Sequence, residues 1–121
     1  MKRITLAIIL ALTANSPSAS QITELPLEQR VAAAELVIIG KVSRIKEGTD
    51  IQLYDVAEVT PKTILKGEIT GTIHVAFNSG LYEENGDCCE AGETYVLFLS
   101  KSPSGNFHTV NGPYGSYKVP R

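Results

Sequence analysis

The stretch LVIIGKVSRI, residues 36–45, decides the fold class of this chain of 121 residues. It begins as a continuous apolar run and ends in alternation, which is typical of a strand that leaves a core buried on both sides for a half-exposed position. Gly40 lies in the middle, where a glycine weakens a strand unless the strand bends or another backbone comes close. The stretch therefore predicts a long first strand that bends at Gly40.

Other segments predict a short helix followed by further strands. Residues 27–34 are strong helix formers preceded by Pro26, with Leu27, Val31 and Ala34 on one face. Pro61 is expected to end the second strand, because proline cannot donate to a strand ladder. The predicted elements after the first strand are a turn at 47–50, a strand at 51–60, a helical turn at 63–67, and strands at 70–77, 95–99, 107–110 and 117–119.

Strands at this spacing indicate a mainly β fold, and the bent first strand favours a small five-stranded antiparallel OB-like barrel with a short N-terminal helix. The run at 95–99 is apolar on both faces and is predicted to be the most buried strand. An open sandwich is the alternative architecture. A closed barrel would remove the exposed strand edges that a small sandwich leaves.

Residues 1–20 have the layout of a signal peptide. A basic start at Lys2 and Arg3 precedes an apolar run at 4–12, and small residues then lead to a cleavage site expected before Gln21. The apolar run covers about nine residues, whereas a membrane-spanning helix needs about 20. We therefore expect a periplasmic or secreted protein without a stable membrane anchor after signal cleavage; an uncleaved anchor is the alternative.

Residues 21–121 then form the single OB-like domain. Removing Lys2 and Arg3 from the 11 basic residues leaves 9 against 13 acidic ones, a net charge near −4. Nucleic-acid binding requires clustered Lys and Arg. The charge and the predicted export together favour a protein partner in the periplasm or outside the cell, and no nucleic acid.

Cys88 and Cys89 are the only cysteines, and they are adjacent. Consecutive Cα atoms are about 3.8 Å apart across a trans peptide, below the usual span of a disulfide. Three states remain open: a vicinal disulfide, two free thiols, or a bridge to another chain. His74 and His108 complete a possible donor set for zinc, but the cysteines lack the spacing of structural zinc sites. We predict no metal and no cofactor.

Two segments predict a contact surface. The acidic stretch at 78–93 is longer than usual for a loop in a compact domain. The turn at 111–117 is rich in glycine and contains two tyrosines, which are enriched at interfaces. The residues predicted to form the surface are Tyr82, Cys88, Cys89, Tyr114 and Tyr117.

Four segments together resemble one protein family: AELVIIGKV at 34–42, YDVAEV at 54–59, LKG at 65–67 and CCEAGETYVLF at 88–98. They are similar to the bacterial secreted relatives of the tissue inhibitor of metalloproteinases and the netrin-type domain. The resemblance implies an OB-like barrel. Animal members inhibit zinc proteases through an N-terminal cysteine, which is missing here because the predicted mature chain begins at Gln21.

The sequence contains no Gly-x-Ser-x-Gly, no His-Glu-x-x-His and no phosphate-binding loop. We therefore predict a non-enzymatic binding module, protein-binding or inhibitor-like without the N-terminal cysteine mechanism. The alternative is a thiol-redox or metal-handling protein that uses Cys88 and Cys89.

Overall fold

The computed structural model describes residues 22–77 and 88–121, which contain one α-helix and six strands. The predicted signal peptide at 1–20 lies outside the described residues. Within them, no helix combines the length and the apolar character that crossing a membrane requires. The elements are α1 (Leu27–Ala33), β1 (Leu36–Lys46), β2 (Asp55–Lys66), β3 (Ile73–Phe77), β4 (Thr94–Lys101), β5 (Phe107–Thr109), a 3₁₀ helix (Gly112–Gly115) and β6 (Ser116–Lys118).

Five of the strands close into a barrel in the order β1-β2-β3-β5-β4, with β4 returning to β1. The mainly β class and the closed barrel are confirmed. The prediction of a wholly antiparallel barrel is wrong at one pair, because β3 and β5 are parallel where Val75 meets Phe107. A closed ring with an odd number of strands cannot alternate direction throughout, so at least one parallel pair is unavoidable. Strand β6 is added on β4, where Val96 pairs with Tyr117.

Strand β1 takes part in both halves of the barrel. Its residues 36–41 pair with β4, and its residues 37–46 pair with β2 through three register irregularities. A Cβ atom on Gly40 would lie 2.6 Å from Cγ1 of Val59 and 3.3 Å from the carbonyl oxygen of Thr60. Gly40 is therefore required by the close approach of β2, which is one of the two reasons given above for a glycine inside a strand.

Strand β2 differs most from its prediction. It begins at Asp55 instead of residue 51, and it continues through Pro61 to Lys66. Pro61 pairs with Gly40 next to a register irregularity, where the ladder tolerates a residue without an N–H. The predicted helical turn at 63–67 is therefore wrong, because pairing with β1 holds these residues extended.

The barrel encloses one apolar core. The run at 95–99 is buried on both faces apart from the half-buried Val96, in agreement with its prediction. We call the enclosed residues the interior cluster: Leu36, Ile38, Val42, Ala57, Val59, Ile73, Val75, Cys88, Tyr95, Leu97, Leu99 and Phe107.

Helix α1 covers the outer face of β1 and β4. Ala34, Val37 and Phe98 are buried there, and we call them the outer cluster. The predicted helix face is only partly correct, because Leu27 is 60% exposed while Arg30 is 7% exposed. The guanidinium of Arg30 is hydrogen-bonded, as described below, so Arg30 takes the inward position that the sequence assigned to a leucine.

Candidate binding surface

The loop between β1 and β2, residues 47–54, is the first part of a candidate binding surface. Five hydrogen bonds order it. The hydroxyl oxygen of Thr49 accepts from the backbone N–H of Ile51 at 3.2 Å and of Gln52 at 3.0 Å. The carboxylate of Asp55 accepts from the N–H of Gly48 at 2.8 Å. The loop therefore has a defined shape, which we call the hairpin loop.

This ordered loop exposes two large apolar side chains. Ile51 is 95% exposed and Leu53 is 59% exposed. Single exposed apolar residues are common on protein surfaces, but here two of them lie at the tip of a loop whose backbone is fixed. Burying either side chain against a partner would be favourable by about 1.5–3 kcal/mol.

A groove of about 280 Å³ lies beside the hairpin loop, and we call it the polar groove. Because Ala57 and Val59 belong to the interior cluster, the alternation of β2 turns Val56 and Glu58 outward. The polar groove is lined by residues of β1, β2 and β3 and of two loops. Its lining residues are Arg44, Lys46, Gln52, Val56, Glu58, His74 and Asn106.

The polar groove combines an apolar side chain with charges. Val56 is 7% exposed although it lies on the outward face of β2. Arg44 donates from Nε to Oε2 of Glu58 at 2.9 Å, and the pair is partly solvated. Two cations and one carboxylate line the groove, so its net charge is +1 with His74 neutral. Such a surface complements an acidic segment that carries an apolar side chain.

Cys88 and Cys89, which were predicted for the contact surface, lie at the end of the barrel. Their Sγ atoms are in bonding contact, as in a vicinal disulfide, and the peptide bond between them is cis. Cys88 belongs to the interior cluster and Cys89 packs against it. In the part of the chain that the structure describes, no three His, Cys, Asp or Glu side chains are grouped to hold a metal ion.

The segment after the cysteines is tied to the end of the chain. Glu90 forms an ion pair with Lys118 at 3.2 Å, and Glu93 forms one with Arg121. A hydrogen bond from Arg121 lowers the pKa of Glu93, and a hydrogen bond to Glu90 raises the pKa of Lys118. These two ion pairs hold β6 and the residues that follow it next to the segment after the cysteines.

The predicted turn at 111–117 is already occupied by another part of the same chain. The side-chain oxygen of Asn111 accepts from the N–H of Leu25 at 2.8 Å, and its amide donates to the carbonyl of Thr23 at 3.0 Å. Arg30 donates from Nη1 to the hydroxyl oxygen of Tyr117 at 2.8 Å. Much of the hydrogen-bonding capacity of this turn is therefore used within the molecule.

The residues predicted to form one surface do not all meet. Cys88 packs with the interior face of β4, whereas the ring of Tyr117 packs edge-on against Phe98 in the outer cluster. Tyr114 is half-buried in the 3₁₀ helix. Tyr82 and most of the acidic stretch, residues 78–87, lie outside the described residues. His74 and His108 are exposed on separate strands, and only His74 lines the polar groove.

The turn predicted at 47–50 lies in the hairpin loop, but residues 51–54 were predicted as the start of a strand and are part of the loop instead. A signal was present, since the apolar positions change phase between Tyr54 and Ala57. The run at 51–54 pairs with no described strand, so its apolar side chains remain outside the barrel. Read as a loop, the same residues would have indicated an exposed apolar tip.

The comparisons with known proteins give no family for this chain. No protein-family model matches it, and no curated protein matches it significantly.

Proposed function

We propose that the protein is a non-enzymatic binding module of the periplasm or the extracellular space, which contacts a protein partner through the hairpin loop and the polar groove. The observation that carries the proposal is the exposure of Ile51 and Leu53 on an ordered loop. An exposed apolar side chain on a preformed loop binds with little loss of conformational entropy. Export to this compartment is supported by the signal-peptide pattern at residues 1–20.

The proposal includes an OB-like barrel related to the netrin-type and tissue-inhibitor domains. Its support is the closed strand order and a first strand that pairs with both β2 and β4. OB-folds bind ligands on the face of the second and third strands, between the loops that follow the first and fourth strands. The polar groove occupies that position here, since Gln52 and Asn106 come from those two loops.

An inhibitor-like role would use the same surface in place of an N-terminal cysteine. The tip residues Ile51 and Leu53 would enter an apolar pocket of the partner, and Lys46 would lie opposite an acidic group. A surface of this kind works by contact alone and needs no reacting group.

The test is capture of partners from the secreted fraction of the source organism, followed by affinity measurement with variants. We expect Ile51→Ser and Leu53→Ser each to weaken partner binding by at least about tenfold, since each removes an apolar side chain from the interface. Leu27→Ser is the matched control, because Leu27 is as exposed as Leu53, at 60% against 59%.

The control should bind as the unchanged protein does. A partner retained equally by all three variants would refute the proposed surface. A protein that captures nothing and turns over a substrate would refute the non-enzymatic class.

A further inference from the structure

In the part of the chain that the structure describes, no strand pairs with the second side of β2 in its second half, and we call this side the open edge. Strand β3 pairs with β2 only at residues 55–59. Residues 60–66 pair with β1, and no other described strand lies on their second side. At the usual rise per residue this open edge is about 20 Å long. Ile64 and Leu65 are 43% and 59% exposed on it.

A groove of about 360 Å³ runs along the open edge. Pro61, Ile64 and Ile69 supply its apolar lining, and Thr60 and Thr72 supply hydroxyl groups. The loop from β2 to β3 forms its far side. A strand added at the open edge would therefore place alternate side chains into this groove.

The charge beside the open edge is positive. A second depression, lined by Lys41 among others, shares Thr60 and Lys62 with the groove, so the two adjoin at these residues. Among the described residues, no carboxylate lines either of them. Glu68 lies in the adjoining loop and is exposed, but it is not part of either lining. Because the chain as a whole has a net charge of −2, this cationic surface is a local feature.

These charges disfavour pairing between two copies of the chain. Residues 60–66 contain Lys62 and Lys66 and no acidic residue. Edge-to-edge pairing of two copies would bring only like charges together, which destabilises a strand pair. Pro61 and Lys62 are also typical of edges that resist indiscriminate pairing. An acidic strand meets no such repulsion.

We infer that the open edge binds an extended acidic segment of a partner protein by strand addition. Backbone groups of residues 63–66 bond the added strand, its apolar side chains fill the groove beside Ile64, and its carboxylates face Lys41 and Lys62. The ammonium of Lys66 is not part of this site, because it donates to the carbonyl of Val31 at 2.8 Å. The site is separate from the hairpin loop and does not rest on the function proposed above.

The test uses a labelled peptide of alternating valine and glutamate, about seven residues long to match the edge. Its affinity for the purified protein is measured by fluorescence anisotropy. We expect saturable binding that Lys62→Glu weakens by at least about tenfold. Lys101→Glu is the control of equal charge change, because Lys101 is exposed on β4 and does not touch the groove. It should change the affinity by less than about threefold.

Two further peptides test the backbone contact. One has its valine nitrogens methylated and the other its glutamate nitrogens. Strand addition requires at least one of them to lose binding, because one alternate set of N–H groups must point to the edge. Two methylated peptides that bind like the parent would overturn the inference. An absence of saturable binding, or equal effects of Lys62→Glu and Lys101→Glu on the affinity, would also overturn it. The same holds if the protein dimerises through the open edge and Lys62→Glu abolishes the dimer.

Discussion

Strands β1 and β4 contribute to the interior cluster with one face and to the outer cluster with the other, and the two clusters are stabilised by different contacts. The interior holds twelve buried apolar residues. The outer face has three, together with the buried side chain of Arg30. A continuous apolar core tolerates no added volume, whereas the outer face depends on a few polar contacts. The comparison shows how a barrel of this size can attach a helix that has little apolar surface.

Arg30 is the centre of the outer face. Its Nη2 atom donates to the carbonyl of Leu25 at 2.9 Å and lies 3.2 Å from the carboxylate of Glu24. Its guanidinium lies over the rings of Phe98 and Tyr117, at 5.4 and 5.5 Å from their centroids. Arginine can combine an ion pair, hydrogen bonds and ring stacking in this way because its charge is spread over a plane.

The largest expected effect is on the interior face, at Gly40. Gly40→Val should lower the free energy of unfolding by at least about 2 kcal/mol, because even a Cβ atom would lie 2.6 Å from Val59. Urea denaturation measures the change. Gly40→Ala adds one carbon only and should give a smaller loss, which keeps the test usable if the valine variant does not fold. An unchanged midpoint for both variants would contradict the close approach of β1 and β2.

The second-largest effect on stability is expected on the outer face. Arg30→Leu should lower the free energy of unfolding by about 1.5 kcal/mol, because leucine preserves packing on Phe98 but leaves the hydrogen-bond acceptors without their donor. Arg44→Leu is the control, since the side chain of Arg44 is 71% exposed. It should change stability by less than about 0.5 kcal/mol. Equal losses of stability in the two variants would show that the contacts of Arg30 stabilise the fold no more than a solvent-exposed ion pair does.

The two faces also differ in how far the sequence predicts them. Apolar periodicity locates the interior strands, because the apolar character of each residue indicates whether its side chain is buried. The glycine in the middle of the first strand also marks the position where β2 comes close. The outer face depends on Arg30 and Tyr117, which are 87 residues apart and have no periodic signal. Residues 51–54 of the hairpin loop were assigned to a strand for a related reason, since Ile51 has strand propensity and only the pairing of β1 with β2 leaves it outside the ladder.

A smaller effect is expected from the single hydroxyl on the outer face. Tyr117→Phe keeps the ring against Phe98 and removes the hydroxyl that accepts from Arg30 and is also hydrogen-bonded to Glu24. The Nε atom of Arg30 already has no hydrogen-bond partner among the described residues, so the variant would leave a second buried donor unsatisfied. We expect a loss of about 1 kcal/mol. In the Arg30→Leu background the same change should have little effect, and full additivity would contradict the contact.

The smallest effect is expected where an ion pair faces solvent. Arg121 lowers the pKa of Glu93 chiefly through a hydrogen bond, but the side chain of Arg121 is 78% exposed. A carboxylate with a lowered folded-state pKa stabilises the fold above its unfolded pKa, and this contribution is lost as the pH falls through the lowered folded value. Arg121→Ala should therefore raise the pKa of Glu93, followed by NMR titration, and lower the urea midpoint at pH 7 by less than any of the changes above, because solvent screens the exposed guanidinium. A fall in that midpoint as large as the one expected for Arg30→Leu would mean that burial does not separate the two ion pairs. The contrast between the faces would then have to come from apolar contact alone.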